Sequence, residues 1–344
     1  MDGVDLAYTT FTASNSEKWD HKVLATRTIT YPDNLLQLLK DSVSLSVEEM
    51  CLLDKSLGRF FGEQVNIFIE QNKIDATKID AIASHGHTIF HQPDAGFTLQ
   101  IGCGTTIASI TQLNVINDFR TKDVVNGGQG APLVPIGDSL LFGDHADAFL
   151  NIGGFANISL NKEPIIAYDI GPGNLPLNEI CQKYFNRAYD KNGDLARSGK
   201  RISRLFSELN GLDYYYQSAP KSLGTEWLTQ TFRPHVSSYS ECRAADILRT
   251  ITDHIAHQIT RSLNENECAS VLITGGGAKN AFLVELIRSD FTGEVRIPSE
   301  ELIEFKEAIV FAFLGALYLD SKPNTIHTVT GAKGDVRAGV LHTP

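Results

Sequence analysis

The sequence contains little cysteine and no hydrophobic run that could cross a membrane. Of its 344 residues only five are cysteines, and no two of these have Cys-x-x-Cys spacing. An odd number of cysteines without such spacing argues against a disulfide framework and predicts reduced thiols in a cytoplasmic protein. The longest apolar stretch, Ala308 to Leu319, is too short for a transmembrane helix and predicts a buried core helix instead.

Positive charge is also scarce. The chain has 30 lysines and arginines against 41 aspartates and glutamates, which gives a formal net charge of −11. Such a surface repels phosphate backbones and anionic lipids, and we therefore expect neither nucleic acid nor a membrane as a partner. The composition, 42% hydrophobic and 21% charged, is that of a globular protein long enough to form two cores.

The two halves of the chain show the same α/β pattern. In the first half, Val4 to Phe11 and Lys22 to Tyr31 are predicted strands, and a capping box of Ser46 and Glu49 predicts the start of a long amphipathic helix. In the second half, three close strands over residues 148–168 precede alternating helices and strands. Strands followed by alternating elements in both halves predict two α/β domains of similar design.

The loop GGQGAP, Gly127 to Pro132, lies between these halves. Glycine and proline at this density are typical of a loop rather than of a helix or strand. We therefore predict one domain over residues 1–131 and a second over 132–344, with the tail 325–344 packing back on the first domain.

The strongest local motif is GPGN, Gly171 to Asn174, which follows a predicted strand and Asp169. A carboxylate at the carboxyl end of a strand, beside a glycine-rich turn, lies where open α/β sheets bind ligands. Its carboxylate could accept a proton from water or a hydroxyl group, and the glycines would let the backbone approach a ligand. An Asx turn that caps the following helix explains the same residues equally well.

The motif TGGG, Thr274 to Gly277, follows a buried apolar strand and leads into a helix. This order is typical of nucleotide sites, because a backbone without side chains can lie against a base, ribose or phosphate. It matches neither a P-loop nor the GxGxxG fingerprint. A tight strand-to-helix turn without a ligand is an equally good interpretation.

The motif NIGGFANIS, Asn151 to Ser159, predicts two strands joined by Gly153 and Gly154. Free backbone N–H groups in such a turn can bind phosphate oxygens. A simple glycine hairpin is the alternative, and on this motif alone it is the better one.

Two polar segments in the first half could form a binding site. In NDFRTKDV, Arg120 could neutralise a carboxylate or phosphate, although a solvated salt bridge is the plainer interpretation. In SHGHTIFH, the three histidines have no cysteine or carboxylate partner at ligand spacing, which favours a polar pocket over a metal site. His254 and His257 share one face of a predicted helix, and we expect them at the surface.

Taken together, these motifs resemble those of the anhydro-N-acetylmuramic acid kinase family, within the acetate-and-sugar-kinase/actin-like superfamily. The most specific matches are GGQGAPLVP and YDIGPGN. Matches extend over nearly the whole chain and are, in order, DGVD, SHGHT, TLQIG, DFRTKD, NIGGFANIS, YDKNGDLARSGK, APKSLGTEW, ITGGGAKN, KEAIVFAFLG and TGAKG.

The resemblance implies a fold and a reaction. The fold is α/β, with two similar ribonuclease-H-like, actin-like domains and an active-site cleft between the domains. The reaction opens the 1,6-anhydro bond of anhydro-N-acetylmuramic acid with water and phosphorylates O6 from ATP with Mg²⁺, giving N-acetylmuramic acid 6-phosphate in peptidoglycan recycling and amino-sugar metabolism. A cytoplasmic homodimer is implied as well.

The resemblance also assigns residues. Asp169 is the catalytic base, and the sugar is held by His85, Asp118, Arg120, Gly171, Gly173 and Asn174, with Glu307 in a matching helix but without a defined role. The nucleotide and its phosphates are assigned to Asp2, Gly3, Asp5, Asn151, Gly153, Gly154, Thr274, Gly275, Gly276, Gly277 and Asn280.

The sequence departs from the family pattern at its start. Family members begin with a strand and a phosphate-binding turn that reads roughly MSGTS before DGVD, whereas here Met1 directly precedes Asp2. This predicts that the first strand and turn of the first domain are absent. A catalytically impaired sugar- or nucleotide-binding homologue is therefore the alternative to an active kinase. His87, where the family commonly has glutamine, is a smaller departure that a polar pocket tolerates.

Overall fold

The structure is a computed structural model that describes residues 3–14, 18–219 and 221–344. Helices and strands alternate, which confirms the predicted α/β class. The chain forms two compact units, and the first comprises Met1–Leu141 together with Phe305–Pro344 while the second comprises Phe142–Glu304. Segments 132–141 and 305–344 thus group with the first unit, whereas the sequence-based division places 132–344 in a second domain whose tail 325–344 packs back on the first. Within the described residues, no helix is long and apolar enough to cross a membrane.

The strands of the first unit form three small sheets. One sheet is the antiparallel pair of the first two strands, and another is the antiparallel hairpin of the fourth and fifth strands. In the remaining sheet the central strand, Val115–Asn117, pairs parallel with Ile82–Ala83 and antiparallel with Val340–His342. These strands are β1 (Val4–Ser14), β2 (Lys18–Ile29), β3 (Ile82–Ala83), β4 (His87–Gln92), β5 (Phe97–Ile101), β6 (Val115–Asn117) and β12 (Val340–His342).

The helices of the first unit cover these sheets. The longest begins after Ser46, whose side chain and Glu49 form the predicted capping box. Its apolar face packs on a core that includes Leu57, Ile107 and Val115. The helices are α1 (Asp33–Lys40), α2 (Val47–Gln71), α3 (Gly104–Thr111), α4 (Thr121–Val125), α5 (Pro135–Phe142), α13 (Glu300–Leu319) and α14 (His327–Thr330).

The helix α13 packs on the first unit through its apolar side chains. The Phe313 ring lies 5.3 Å from the Phe11 ring and 5.4 Å from the Trp19 ring, measured between centroids. A Cβ atom at Gly315 would lie only 2.8 Å from Cβ of Ala83, so the helix approaches β3 closely. These contacts explain why the chain from Phe305 onward groups with the first unit.

The second unit is built on one five-stranded sheet, whose strands lie in the order β11 (Glu294–Arg296), β10 (Ser270–Thr274), β7 (Ala148–Ile152), β8 (Phe155–Leu160) and β9 (Ile166–Pro172). The first three strands in chain order form an antiparallel meander, and β10 pairs parallel with both β7 and β11. The hairpin predicted around Gly153 and Gly154 is confirmed.

The helices of the second unit pack on this sheet around one apolar core. Many residues of the long helix Ala244–Glu265 are buried. His254 lies on this helix, and the prediction that it is a surface residue is wrong. His254 is fully buried, with Nε2 2.8 Å from the Tyr215 hydroxyl and Nδ1 2.7 Å from Oδ1 of Asn210. The helices are α6 (Asn174–Phe185), α7 (Asp194–Arg197), α8 (Ser203–Asn210), α9 (Thr225–Trp227), α10 (Arg233–Ser237), α11 (Ala244–Glu265) and α12 (Ala281–Asp290).

Candidate functional site

Three glycine-rich turns lie at one edge of the five-stranded sheet. They are Gly153–Gly154 after β7, Gly171–Gly173 at the end of β9 and Gly275–Gly277 after β10. β7 and β10 are parallel, and β9 has the same direction because two antiparallel pairings relate it to β7. The sheet therefore brings the carboxyl ends of all three strands, and the predicted ligand-binding motifs, to the same edge.

Backbone hydrogen bonds join the first two turns. The N–H of Gly173 donates to the carbonyl of Gly154 at 2.8 Å, and the N–H of Asn174 donates to the carbonyl of Gly153 at 2.8 Å. The Asn174 side-chain amide donates to the carbonyl of Ile152 at 3.1 Å. A Cβ atom at Gly173 would lie 2.6 Å from the oxygen of Gly153, so this approach requires glycine.

The third turn packs against the end of β7. Gly275 has a φ of +77°, and a Cβ atom there would lie 2.5 Å from Oδ1 of Asn151. A Cβ atom at Gly276 would lie 3.5 Å from Nδ2 of Asn174, an ordinary contact distance. The glycine turns thus form one backbone-lined surface on which Asn151 and Asn174 supply the nearest polar side chains.

Two residues assigned to the nucleotide have structural partners within the fold. The Thr274 hydroxyl is buried and donates to the carbonyl of Leu150 at 3.4 Å. Oδ1 of Asn280 accepts from the N–H of Leu283 at 3.1 Å and so caps α12. The described contacts explain both side chains without a ligand.

Asp169 lies in β9 and is half-buried. Its Oδ2 accepts a hydrogen bond from the backbone N–H of Leu223 at 2.8 Å. Burial raises the pKa of the Asp169 carboxyl above its ordinary value, and the Leu223 hydrogen bond opposes this shift. Within the described part of the chain, no donor contacts Oδ1, which leaves one basic oxygen for a proton.

The segment from Tyr214 to Leu223 holds Asp169 in place, although its residue types alone do not indicate this role. The Tyr214 hydroxyl donates to the carbonyl of Asp169 at 2.6 Å, and the N–H of Asp169 donates to the carbonyl of Lys221 at 3.1 Å. Together with the Leu223 contact, these bonds fix the backbone and the carboxylate. The only sequence signal for this role was the family motif APKSLGTEW, which contains Lys221 and Leu223.

In the first unit, Arg120 and His85 form a polar pair. Nε and Nη2 of Arg120 approach Nε2 of His85 at 3.1 and 2.8 Å, and Nη1 donates to the carbonyl of Gly130 at 2.8 Å. Burial and the Arg120 charge lower the pKa of His85 to about 3. His85 is therefore neutral, accepts at Nε2 and carries its proton on Nδ1. The Phe311 ring packs against His85, with ring centroids 4.5 Å apart.

Glu307 and Asp5 are two further charged groups in this part of the first unit. Enclosure by protein raises the pKa of Glu307, while the Arg120 charge lowers it and the Asp5 charge raises it further. Both carboxylates line a cavity of about 550 Å³, and Glu307 is exposed to solvent within it. The rest of that wall is mainly apolar, with Phe61 and Phe68 among its residues.

The other first-unit residues that the resemblance assigns to the site are Asp118, Gly3 and Asp2. Asp118 has a φ of +56°, and its Oδ1 accepts from the N–H of Thr121 at 3.2 Å. Gly3 lines the same cavity, and a Cβ atom there would lie 2.4 Å from the oxygen of Ile29. Asp2 lies outside the described residues. The structure thus brings His85, Arg120, Asp5 and Glu307 together in the first unit.

Comparison with known proteins fits this arrangement of motifs. Residues 1–344 match the profile of the family described as "AnmK: Anhydro-N-acetylmuramic acid kinase". The chain belongs to the anhydro-N-acetylmuramic acid kinase family. A relative in Francisella tularensis subsp. novicida, described as "Anhydro-N-acetylmuramic acid kinase", is 36% identical over 99% of this chain and 96% of its own length. A second, in Shewanella oneidensis, carries the same description and is 35% identical over 98% of this chain and 95% of its own.

Membership of the anhydro-N-acetylmuramic acid kinase family confirms the resemblance inferred from the sequence motifs. The match is continuous, so both units belong to the family fold. Proteins of this family are kinases by description.

Proposed function

We propose that this chain is an ATP-dependent kinase that opens the 1,6-anhydro bond of 1,6-anhydro-N-acetylmuramic acid and phosphorylates O6. The product is N-acetylmuramic acid 6-phosphate. Support comes from family membership over the whole chain and from the descriptions of its relatives. The reaction places the protein in peptidoglycan recycling and amino-sugar metabolism.

Asp169 is the proposed general base. Oδ2 is held by the Leu223 N–H, so Oδ1 is the oxygen that would accept a proton from water. The raised pKa makes Asp169 a stronger base than an exposed carboxylate once it is ionised. The bond from Leu223 keeps the carboxylate oriented, and orientation of the base is part of its catalytic effect.

The proposed chemistry balances without a second catalytic acid. Water attacks C1 and loses a proton to Asp169, a new C1–O bond forms, and the C1–O6 bond breaks with its electron pair on O6. O6 then forms a bond to the γ-phosphorus of ATP, and the bond between that phosphorus and its bridging oxygen breaks to release ADP. Asp169 returns its proton to solvent, so one water and one ATP are consumed for each sugar.

The glycine turns of the second unit are proposed to hold the nucleotide. Gly153 and Gly154 would present backbone N–H groups to the phosphates. The Gly275–Gly277 turn would lie against the adenosine through Gly276, where an added Cβ atom would have only Nδ2 of Asn174 within 4 Å, at 3.5 Å. Gly171, Gly173 and Asn174 are proposed to face the sugar. The hydrogen bonds between Gly153–Gly154 and Gly173–Asn174 would make these two parts of the surface move together.

Arg120 is proposed to bind the lactyl carboxylate of the sugar. A guanidinium carries five N–H groups. Three of them contact His85 and Gly130, and among the described residues the other two have no partner. Two N–H groups on one guanidinium suit a carboxylate in a bidentate arrangement. His85 would orient Arg120, with Asp118 nearby on the same segment and Glu307 balancing the charge.

Mg²⁺ is proposed to enter with the nucleotide. Among the described residues, no group of three or more His, Cys, Asp and Glu side chains is arranged to hold a metal ion. Mg²⁺ commonly binds through substrate phosphates, water and one or two carboxylates, so a dedicated protein cage is not required. When bound, it would neutralise charge on the phosphates, and no ligand from this chain is assigned to it.

The observation that carries this proposal is the position of Asp169, fixed by three hydrogen bonds beside the glycine turns. The test is to incubate the protein with ATP, Mg²⁺ and anhydro-N-acetylmuramic acid and to determine the product mass. A gain of one phosphate and one water is expected. A gain of phosphate alone would indicate a simple sugar kinase, and ATP-dependent turnover that never appears would favour a binding protein.

Location and assembly belong to the same proposal. The five cysteines are all free in the structure, which suits a reducing cytoplasm. A homodimer is proposed from the family resemblance alone. Light scattering coupled to gel filtration would measure the mass, and a monomer at micromolar concentration would contradict it.

A further inference from the structure

Three residues after Arg120, the chain carries a buried carboxylate that the proposed reaction does not use. Asp123 is fully buried, and its two oxygens each accept one hydrogen bond. The Thr330 hydroxyl donates to Oδ1 at 2.8 Å, and the backbone N–H of Gly130 donates to Oδ2 at 2.7 Å. Both acceptor atoms are thus occupied, one by the nearby loop and one by the C-terminal segment.

We propose that Asp123 and Thr330 are positioning residues, which hold Arg120 in the orientation that binds a carboxylate on the substrate. This proposal rests on the proposed function. The connection passes through a single residue, Gly130, whose N–H donates to Asp123 while its carbonyl accepts from Nη1 of Arg120 at 2.8 Å. Arg120 in turn contacts His85.

The loop around Gly130 is shaped to fit this connection. Gly130 has a φ of +65°, a conformation that favours glycine. A Cβ atom at Gly128 would lie 2.2 Å from Oδ2 of Asp123, so a side chain there would displace the carboxylate. The N–H of Gln129 donates to the carbonyl of Thr330 at 2.7 Å. Thr330 therefore holds the loop twice, once through its carbonyl and once through Asp123.

The direction of the guanidinium depends on these contacts. His85 and the Gly130 carbonyl occupy three of the five N–H groups, and a shift of the Gly130 peptide would rotate the remaining two. A carboxylate gains bidentate binding only if both N–H groups face it. Pre-arranged donors also avoid the entropy cost of ordering a long side chain on binding. Loss of the Thr330 hydroxyl should therefore weaken recognition of a carboxylate while the chemistry continues.

The experiment compares two sugars. One is anhydro-N-acetylmuramic acid, and the other is the same anhydrosugar without its lactyl group. Thr330→Val removes the hydroxyl at nearly constant volume, and Thr330→Ser restores it. Thr325→Val is the matched control, because Thr325 is another buried threonine of the same C-terminal segment whose hydroxyl bonds to Val336 rather than to Asp123. Dissociation constants are measured by calorimetry, and KM and kcat by coupled assay.

In Thr330→Val, we expect KM for the carboxylate sugar to rise roughly 5- to 10-fold, as for loss of a buried hydrogen bond. We expect no change for the sugar without the lactyl group, a small change in kcat, and recovery in Thr330→Ser. Asp123→Asn, which replaces one acceptor by a donor, should act in the same direction. If Thr330→Val does not fold, Thr330→Ala takes its place.

The outcomes separate this inference from the proposed function. If the wild-type protein binds both sugars equally, Arg120 does not recognise the lactyl carboxylate and the proposed substrate contact is wrong. If the wild-type protein prefers the carboxylate sugar and Thr330→Val keeps that preference, the positioning role is wrong. Equal weakening toward both sugars, or a similar effect in Thr325→Val, would show only loss of stability and would also overturn it.

Discussion

The two units hold their candidate site residues in place by different kinds of contact. In the second unit, one continuous sheet has β7 paired on both sides, and the turns that follow its strands meet through backbone contacts. In the first unit, β1 pairs only with β2 and β3 only with β6, as far as the described residues extend, and the edges of both strands line the cavity of about 550 Å³.

The difference extends to the site residues. Those of the second unit are mostly glycines, held in place by strands, whereas those of the first unit are side chains held by a hydrogen-bonded chain from Thr330 to His85. A continuous sheet fixes its turns by many shared hydrogen bonds. A divided sheet leaves that task to a few buried side chains, so single substitutions there should act on orientation more than on the fold.

The largest expected effect is on catalysis in the second unit. Asp169→Asn keeps the shape of the side chain and loses its basicity, and we expect turnover to fall about 10²- to 10⁴-fold while sugar binding persists. Steady-state kinetics and calorimetry would measure the two quantities. Near-normal turnover would remove Asp169 from the mechanism.

Stability provides the control for this variant. The pKa of Asp169 is raised in the folded state, so the folded protein binds the proton more tightly than the unfolded chain. Ionised Asp169 therefore lowers the free energy of unfolding at pH values above its folded-state pKa. This loss of stability disappears as the pH falls below the pKa that Asp169 has in the unfolded chain. Asp169→Asn should melt at a higher temperature than wild type at pH 7, with a smaller difference in acid. A lower melting temperature at pH 7 would mean that the lost turnover reflects unfolding.

The next expected effect concerns local stability of the two sheets. We expect amide hydrogens of β1 and β2 to exchange roughly 10- to 100-fold faster than those of β7. The reason is that β7 is paired on both sides, whereas β1 pairs only with β2 among the described residues, so the two strands can separate from the rest of the unit together. Exchange measured by mass spectrometry on peptides covering each strand would test this. Equal protection of β1 and β7 would show that the divided sheet is as stable as the continuous one.

A smaller effect is expected from the glycine turns themselves. Gly275→Ala places a Cβ atom 2.5 Å from Oδ1 of Asn151 at a φ of +77°, and should destabilise the second unit by about 1–3 kcal/mol. Gly276→Ala, where the new Cβ atom would be at 3.5 Å from its nearest neighbour, is the matched control for stability. Chemical denaturation would compare them, and equal loss in both variants would contradict the packing argument.

The sequence predicted the local elements better than their assembly. The capping box of Ser46 and Glu49, the hairpin at Gly153–Gly154 and the buried strand Ser270–Thr274 all depend on neighbouring residues, and the structure confirms them. Which residues share a unit depends instead on distant packing, such as Phe313 against Phe11. No periodicity within α13 indicates which unit its apolar side chains will meet.

Prediction of the candidate site from the sequence is limited in the same way, because distant contacts decide it. Motif patterns predict Asp169 and Arg120 as site residues, but not the backbone groups that form hydrogen bonds with them. Leu223 and Gly130 act through backbone N–H and carbonyl groups, which nearly every residue type possesses, so the residue types themselves do not indicate these contacts. His254 was misplaced because a histidine on a helix face looks polar until Tyr215 and Asn210 are known to satisfy it.

The smallest expected effect is a change in the pKa of a buried histidine, and the two units offer one such histidine each. Burial lowers the pKa of both His85 and His254 to about 3, so neither ring should titrate between pH 5 and 8. Their second causes differ, because His85 faces the Arg120 charge and His254 faces His257. Arg120→Gln should therefore raise the pKa of His85 and leave that of His254 unchanged. Ring proton shifts in an NMR titration would report both in one sample. A parallel rise at His254 would show general loosening, and an unchanged His85 would mean that burial alone keeps the ring neutral.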